Sequence, residues 1–236
     1  MEQYQELYEI LRKETKPALG CTGPIGICFV AAQAYDAVGG EIRKITVEGF
    51  GPKSDDVAFP GTEMLGLEMA AALGAVCGDP NAGLEVLHSV TPEGELKARK
   101  VAELVEMIHD PEQTELNHER KITIETDKGV GVAVIKGAQD GLIYKAGNGQ
   151  VFVEKEPDAL NVAGHTPLMK YKIKDFYDFA VNYPIEKLDF LLESAEMNTR
   201  MSEHVFEHDC GIKIGKTFLE SPNPTPVTHA KAYAAA

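Results

Sequence analysis

Apolar and polar positions along this chain fall into three regimes. Residues 2–16 repeat apolar side chains at helical spacing, and residues 24–38 follow with a run at 25–32 that leaves no polar face and predicts a buried helix. At 42–49 the apolar residues Ile42, Ile45 and Val47 stand among polar neighbours and predict a strand, and 60–76 reads as a helix of small apolar residues. Thr91-Pro92-Glu93 then supplies a threonine cap, a proline at the first helical position and acids near the positive dipole end. That start predicts an amphipathic helix running to about His109. Beyond it the period changes. Residues 121–126, 130–136, 142–145 and 150–154 read as short strands joined by Asp127-Lys128-Gly129 and Gly147-Asn148-Gly149 turns, which is an antiparallel meander. Helices resume at 173–181 and 184–208, after which glycine and proline take over and 221–226 reads as a linker.

The regimes predict an α+β fold, with a helical layer against a mixed, largely antiparallel sheet. Three blocks follow in order: a helix-rich α/β part at 1–115 that carries the loop Gly20-Cys21-Thr22-Gly23-Pro24, the meander at 116–156 packed on it, and C-terminal helices with a Pro/Gly-rich tail at 157–236. With 236 residues, 44% of them hydrophobic, the chain can bury a substantial core. Its formal net charge of −14 opposes binding to nucleic acid or to an anionic membrane surface. The sequence opens on no secretory leader pattern and no apolar run reaches the ~18 residues of a membrane span, so a cytoplasmic protein is expected. The four cysteines, at 21, 28, 77 and 210, form no Cys-x-x-Cys pair and read as free thiols or metal ligands.

Candidate chemistry concentrates at Leu19-Gly20-Cys21-Thr22-Gly23-Pro24. Gly20 and Gly23 leave the backbone bare, Pro24 suits a first helical turn, and a sulfur placed just before a helix feels the positive end of its dipole, which favours the thiolate as ligand or nucleophile. Thr22 and the backbone N–H groups of Gly23 and Ile25 sit where a helix start can hold a carboxylate. Cys28 and Cys77, among apolar neighbours, read as core packing. A separate pattern, His204-Val205-Phe206-Glu207-His208, fits the His-x-x-Glu-His of inverted zinc metalloproteases, with Cys210 close by. A third reading is a non-catalytic amino-acid-binding or regulatory module.

The segment Pro17-Ala18-Leu19-Gly20-Cys21-Thr22-Gly23-Pro24-Ile25 resembles the Pro-Ala-x-Gly-Cys-Thr-Glu-Pro-Ile signature of the L-cysteine desulfidases, within the iron–sulfur-dependent L-serine dehydratase superfamily. Phe59-Pro60-Gly61-Thr62-Glu63-Met64-Leu65-Gly66, Glu196-Met197-Asn198 and the glycine-rich stretch at 211–217 match further family segments in order. The resemblance covers the N-terminal half of those enzymes, whose second half carries the remaining cluster cysteines. It implies β-elimination from L-cysteine or L-serine, giving pyruvate and ammonia, with sulfide from cysteine, at a [4Fe-4S] cluster. It also implies Cys21 as one cluster ligand, Thr22, Gly23, Lys53, Thr62 and Asn198 as substrate-binding residues, and a C-terminal-half subunit or domain as partner in an oligomer. Gly23 stands where the family usually has glutamate, and Gly51-Pro52-Lys53-Ser54-Asp55 replaces an Asn-x-x-Lys-Asn loop, so cysteine and serine both stay open.

Overall fold

A computed structural model of the chain describes residues 4–50, 66–109, 119–157, 167–208, 213–223 and 225–234. Among them the helices are α1 (Gln5–Glu14), α2 (Thr22–Asp36), α3 (Leu67–Cys77), α4 (Pro92–Ala102), α5 (Ile173–Asn182), α6 (Asp189–Glu207), α7 (Ile214–Leu219) and α8 (Pro226–Ala234). The strands are β1 (Ile42–Phe50), β2 (Val105–His109), β3 (Arg120–Thr126), β4 (Gly129–Ile135), β5 (Leu142–Gly147) and β6 (Gln150–Glu154). By their contacts the residues divide into two units, 17–170 and 1–16 with 171–236.

Unit 17–170 is built around α2. Its sequence offers no polar face, and every residue from Pro24 to Ala34 is buried. One side of α2 meets α3, the other meets β3, β4 and β5. The crossing with α3 is close because Ala70, Ala71, Ala72, Gly74 and Ala75 make up most of its buried residues, with Leu67 and Leu73. A Cβ on Gly74 would lie 2.5 Å from Cys28 Cα and 2.7 Å from the Cys28 carbonyl carbon.

The six strands form one sheet, ordered β2-β1-β3-β4-β5-β6, with β1 and β2 parallel and every other pair antiparallel. The α+β reading with a mixed, largely antiparallel sheet is therefore what the chain adopts. Alternation sends Ile45 and Val47 of β1 and their register partners Ile124 and Ile122 of β3 into the core. Glu48 and Lys121, also register partners, pair at 2.7 Å. Gly131 and Gly147 stand opposite each other on β4 and β5. A Cβ on Gly131 would meet the Ala34 carbonyl and come within 2.8 Å of Val38 Cγ1, and one on Gly147 would lie 2.7 Å from the Ala37 carbonyl carbon. The last turn of α2 thus rests on a bare stretch of ladder. Beside it, Gln33 Nε2 donates to the Pro80 carbonyl at 2.6 Å, and Lys145 Nζ donates to Gln33 Oε1 at 3.0 Å and pairs with Asp36.

The meander's turns follow their sequence. Asn148 and Gly149 take φ of 51° and 83°, and Gly129 takes 129°. Asn148 Oδ1 accepts from the Val130 N–H and its Nδ2 donates to the Lys128 carbonyl, both at 3.0 Å, which ties the β5–β6 turn to the β3–β4 turn.

The helix expected to reach His109 stops at Ala102. Thr91 caps it as read, its hydroxyl accepting from the Gly94 N–H at 3.1 Å. Val105–His109 instead forms the parallel edge strand β2, with Val105 opposite Ile45 and Met107 opposite Val47. Lys44 and Glu106 pair across that edge at 2.7 Å. Pairing with β1 after a crossover through α3 and α4 outweighs the helical period of the preceding residues.

In unit 1–16 with 171–236, α1 meets α5 and α6 through aromatic rings. Tyr8 stacks on Tyr183 at 5.1 Å between centroids, Phe179 tilts against Tyr183 at 4.8 Å, and the Arg12 guanidinium lies 4.6 Å over the Phe190 ring. The tail read as a linker at 221–226 leads into a helix, α8, whose first residue is Pro226. The Thr225 and Thr228 hydroxyls cap its start reciprocally, accepting from the Thr228 and Thr225 N–H groups at 3.2 and 3.1 Å. Phe206 and Tyr233 hold α6 and α8 together at 4.9 Å between centroids. Among the described residues no helix is long and apolar enough to cross a membrane.

Candidate functional site: the turn that opens α2

The turn before α2 is set by three local features. The Leu19 N–H donates to the Leu84 carbonyl at 3.1 Å, which pins the chain to the core. Gly20 takes φ of +94° with its N–H on the Ala18 carbonyl at 3.0 Å, a conformation that favours glycine. Cys21 then becomes the helix N-cap in extended backbone, with no cap hydrogen bond from its side chain.

The result is an exposed thiol on a fixed backbone. Cys21 and Thr22 are exposed and Gly23 is half-buried, whereas Pro24 and everything after it to Ala34 is buried. The Ile25 N–H, read as a ligand donor, is already engaged by the Cys21 carbonyl at 3.2 Å, and Pro24 has no N–H. Helical geometry therefore leaves the N–H groups of Thr22 and Gly23 as the donors at this end. A Cβ on Gly23 would meet nothing within 4 Å, so a longer side chain fits where the resembling family carries glutamate.

The other thiols differ in kind. Cys28 is fully buried at the crossing with α3, and burial pushes its thiol far above the usual range. Cys77, at the end of α3, is half-buried near Gly94 and Lys97, and burial raises it too, with the Lys97 charge opposing. Both are held as protonated packing groups. Among the described residues no group of three or more His, Cys, Asp or Glu is placed to hold a metal ion. One exposed thiol suits one ligand position of an iron–sulfur cluster, and the described residues do not supply the rest.

Of the remaining candidates, Lys53 and Thr62 lie outside the described residues, as does Cys210. Asn198 is exposed on α6, in the other unit, where its Nδ2 donates to the Ser194 carbonyl of its own helix at 2.8 Å. The residues brought together are thus Cys21, Thr22 and Gly23, neighbours in sequence. His204 and His208 are exposed and stacked at 4.0 Å between centroids, with His208 Nδ1 on the His204 carbonyl at 3.0 Å.

Sequence reasoning missed the Lys145–Gln33–Asp36 network. A lysine in a strand and a glutamine in an apolar helix carried the signal, but the partners lie more than a hundred residues apart.

The chain is 35% identical over 228 residues to a UPF0597 protein of Clostridium botulinum, a match covering 92% of this chain and 53% of the relative. It is 33% identical over 221 residues to a UPF0597 protein of Shewanella baltica, covering 91% and 52%, and 31% identical over 220 residues to one of Photobacterium profundum, covering 89% and 50%. The chain spans about half the length of the curated relatives it matches. No family model matches it. No solved structure matches it either.

Proposed function

We propose that the chain is one half of an iron–sulfur-dependent amino-acid lyase of the L-cysteine desulfidase or L-serine dehydratase type, working in the cytoplasm. The observation that carries this reading is Cys21, the exposed thiol at the N-cap of α2, in the Gly-Cys-Thr context that resembles those enzymes. Relatives about twice as long as the matched region support the existence of a second half, and on this reading that half supplies the remaining cluster ligands. A cluster held by Cys21 together with ligands from the second half would supply Lewis acidity toward the leaving thiol or hydroxyl.

The residues of this chain bind and orient. The Thr22 and Gly23 N–H groups, at the positive end of α2, receive the carboxylate of an amino acid. Lys53, Thr62 and Asn198 belong to the substrate side on resemblance. The space at Gly23 leaves the substrate ammonium without the carboxylate that the resembling family places there.

The test is iron and acid-labile sulfide content after anaerobic reconstitution of the full chain, alone and with the unmatched part of the Clostridium botulinum relative, in native and Cys21→Ser forms. Iron bound only with both parts present, and reduced in Cys21→Ser, is the expected result. Iron content equal in the two forms would remove Cys21 from the centre. No iron under either condition would leave the amino-acid-binding module as the better reading.

A further inference from the structure

The last turn of α6 brings two imidazoles face to face. His204 and His208 stand four residues apart, where helical side chains are neighbours, and their rings stack at 4.0 Å between centroids with 22° between planes. His208 is the C-cap, and its Nδ1 lies 3.0 Å from the His204 carbonyl. A carbonyl only accepts, so Nδ1 carries the proton and Nε2 of the neutral ring keeps its lone pair. A ring N–H given to a backbone carbonyl is the arrangement that orients a histidine toward a metal. The His204 ring makes no hydrogen bond among the described residues, so it can turn a nitrogen toward the same point.

We propose that His204 and His208 form a two-histidine site for a borderline divalent transition ion of the Ni2+ or Zn2+ kind, independent of the cluster chemistry proposed above. Two nitrogens bound at ~2.0–2.1 Å to one tetrahedral ion stand about 3.3 Å apart, and the stacked rings already lie near that separation. A turn about each Cβ–Cγ bond converges them on one point. Imidazole suits such ions, whereas calcium and magnesium take oxygen ligands. The pair also lies at the negative end of the helix dipole, which favours a cation. Arg200, four residues before His204, and Lys216, whose Nζ donates to the His208 carbonyl at 3.0 Å, are offset by Glu203 and Glu207, and the chain's net charge of −14 then favours cations. Among the described residues no third His, Cys, Asp or Glu joins the pair, so water fills the rest of the ion's shell.

The experiment titrates Ni2+ into the full chain, stripped of metal and kept anaerobic at neutral pH, by isothermal calorimetry. The variants are His204→Ala and His208→Ala, each checked for native circular dichroism, with Cys21→Ser and His88→Ala as controls. His88 is the matched control because its Nδ1 also lies on a backbone carbonyl, that of Glu85 at 3.1 Å, but it stacks on no second imidazole. The expected result is a one-equivalent site that either α6 substitution weakens at least about tenfold, the lower end of what disturbing even an outer-shell partner costs, and that both controls leave unchanged. Proton NMR gives a second reading: paramagnetic Ni2+ should broaden the His204 and His208 ring resonances before those of the other histidines. Binding that survives both α6 substitutions, or that only one of them weakens, would overturn the pair. So would a site lost in Cys21→Ser, which would belong to the thiol, or one weakened equally in His88→Ala, which would mark general attraction to histidines. No Ni2+ bound by the native chain would overturn it as well, and would leave the cluster reading untouched.

Discussion

Replacing Gly74 by alanine tests the closest approach in the core. The new Cβ would sit 2.5 Å from Cys28 Cα and 2.7 Å from its carbonyl carbon, about 1 Å inside the ~3.5–4.0 Å at which carbon atoms pack. All the atoms it meets belong to the α2 backbone, so no change of rotamer relieves the contact and the two helices must part. Overpacking of this kind costs about 1–3 kcal/mol, and the better helix preference of alanine returns up to ~1 kcal/mol. The expected net loss is about 1–2 kcal/mol, or roughly 2–8 °C in Tm for a unit of this size. Thermal and urea unfolding followed by far-UV circular dichroism read it, with Gly23→Ala as the comparison because its Cβ meets nothing within 4 Å. A Gly74→Ala protein as stable as the native one would refute the crossing as described.

Lys145→Met keeps the buried stem but leaves Gln33 Oε1 without its donor and Asp36 without its ion pair, so stability is expected to fall by about 1–3 kcal/mol in urea titration; a change below ~0.5 kcal/mol would show the network to be idle. Stability is also expected to fall in alkali. Cys28 stays protonated in the folded state well above the ordinary thiol value of about 8.5, so its contribution is full below that pH and is lost as pH rises past it, at no more than about 1.4 kcal/mol per pH unit. Denaturant midpoints measured from neutral pH to about pH 10 should decline less steeply in Cys28→Ala than in the native chain, and equal slopes would contradict the burial of this thiol.

Much of the fold was legible where local chemistry decides it. Asn148-Gly149 and Gly129 require backbone conformations that few other residues adopt, so the meander could be read from its turns. The helix from Pro24 to Ala34 declared its burial by lacking a polar face. β2 was not legible, because Val105 to His109 continues a helical period, and its reason for being a strand is β1, in a parallel pairing across two intervening helices. The tail misled for a related reason: Pro226 looked like a break, although it occupies the first turn of α8 with Thr225 capping it. At the candidate site, the sequence placed Cys21, Thr22 and Gly23 correctly at a helix start. It could not say that Ile25 had already committed its N–H to the Cys21 carbonyl, or that Asn198 would satisfy its amide on its own helix.

The turn at Cys21 stands in solvent, yet it is the first turn of a helix locked into the core from Pro24 onward. Binding sites carried on slack loops lose affinity to the entropy of fixing the chain, about 1–2 kcal/mol for each residue ordered. Here folding has already fixed Cys21, Thr22 and Gly23. A ligand that reaches this turn meets a preorganised backbone, and selectivity between ligands falls to their geometry, because the protein has little left to rearrange.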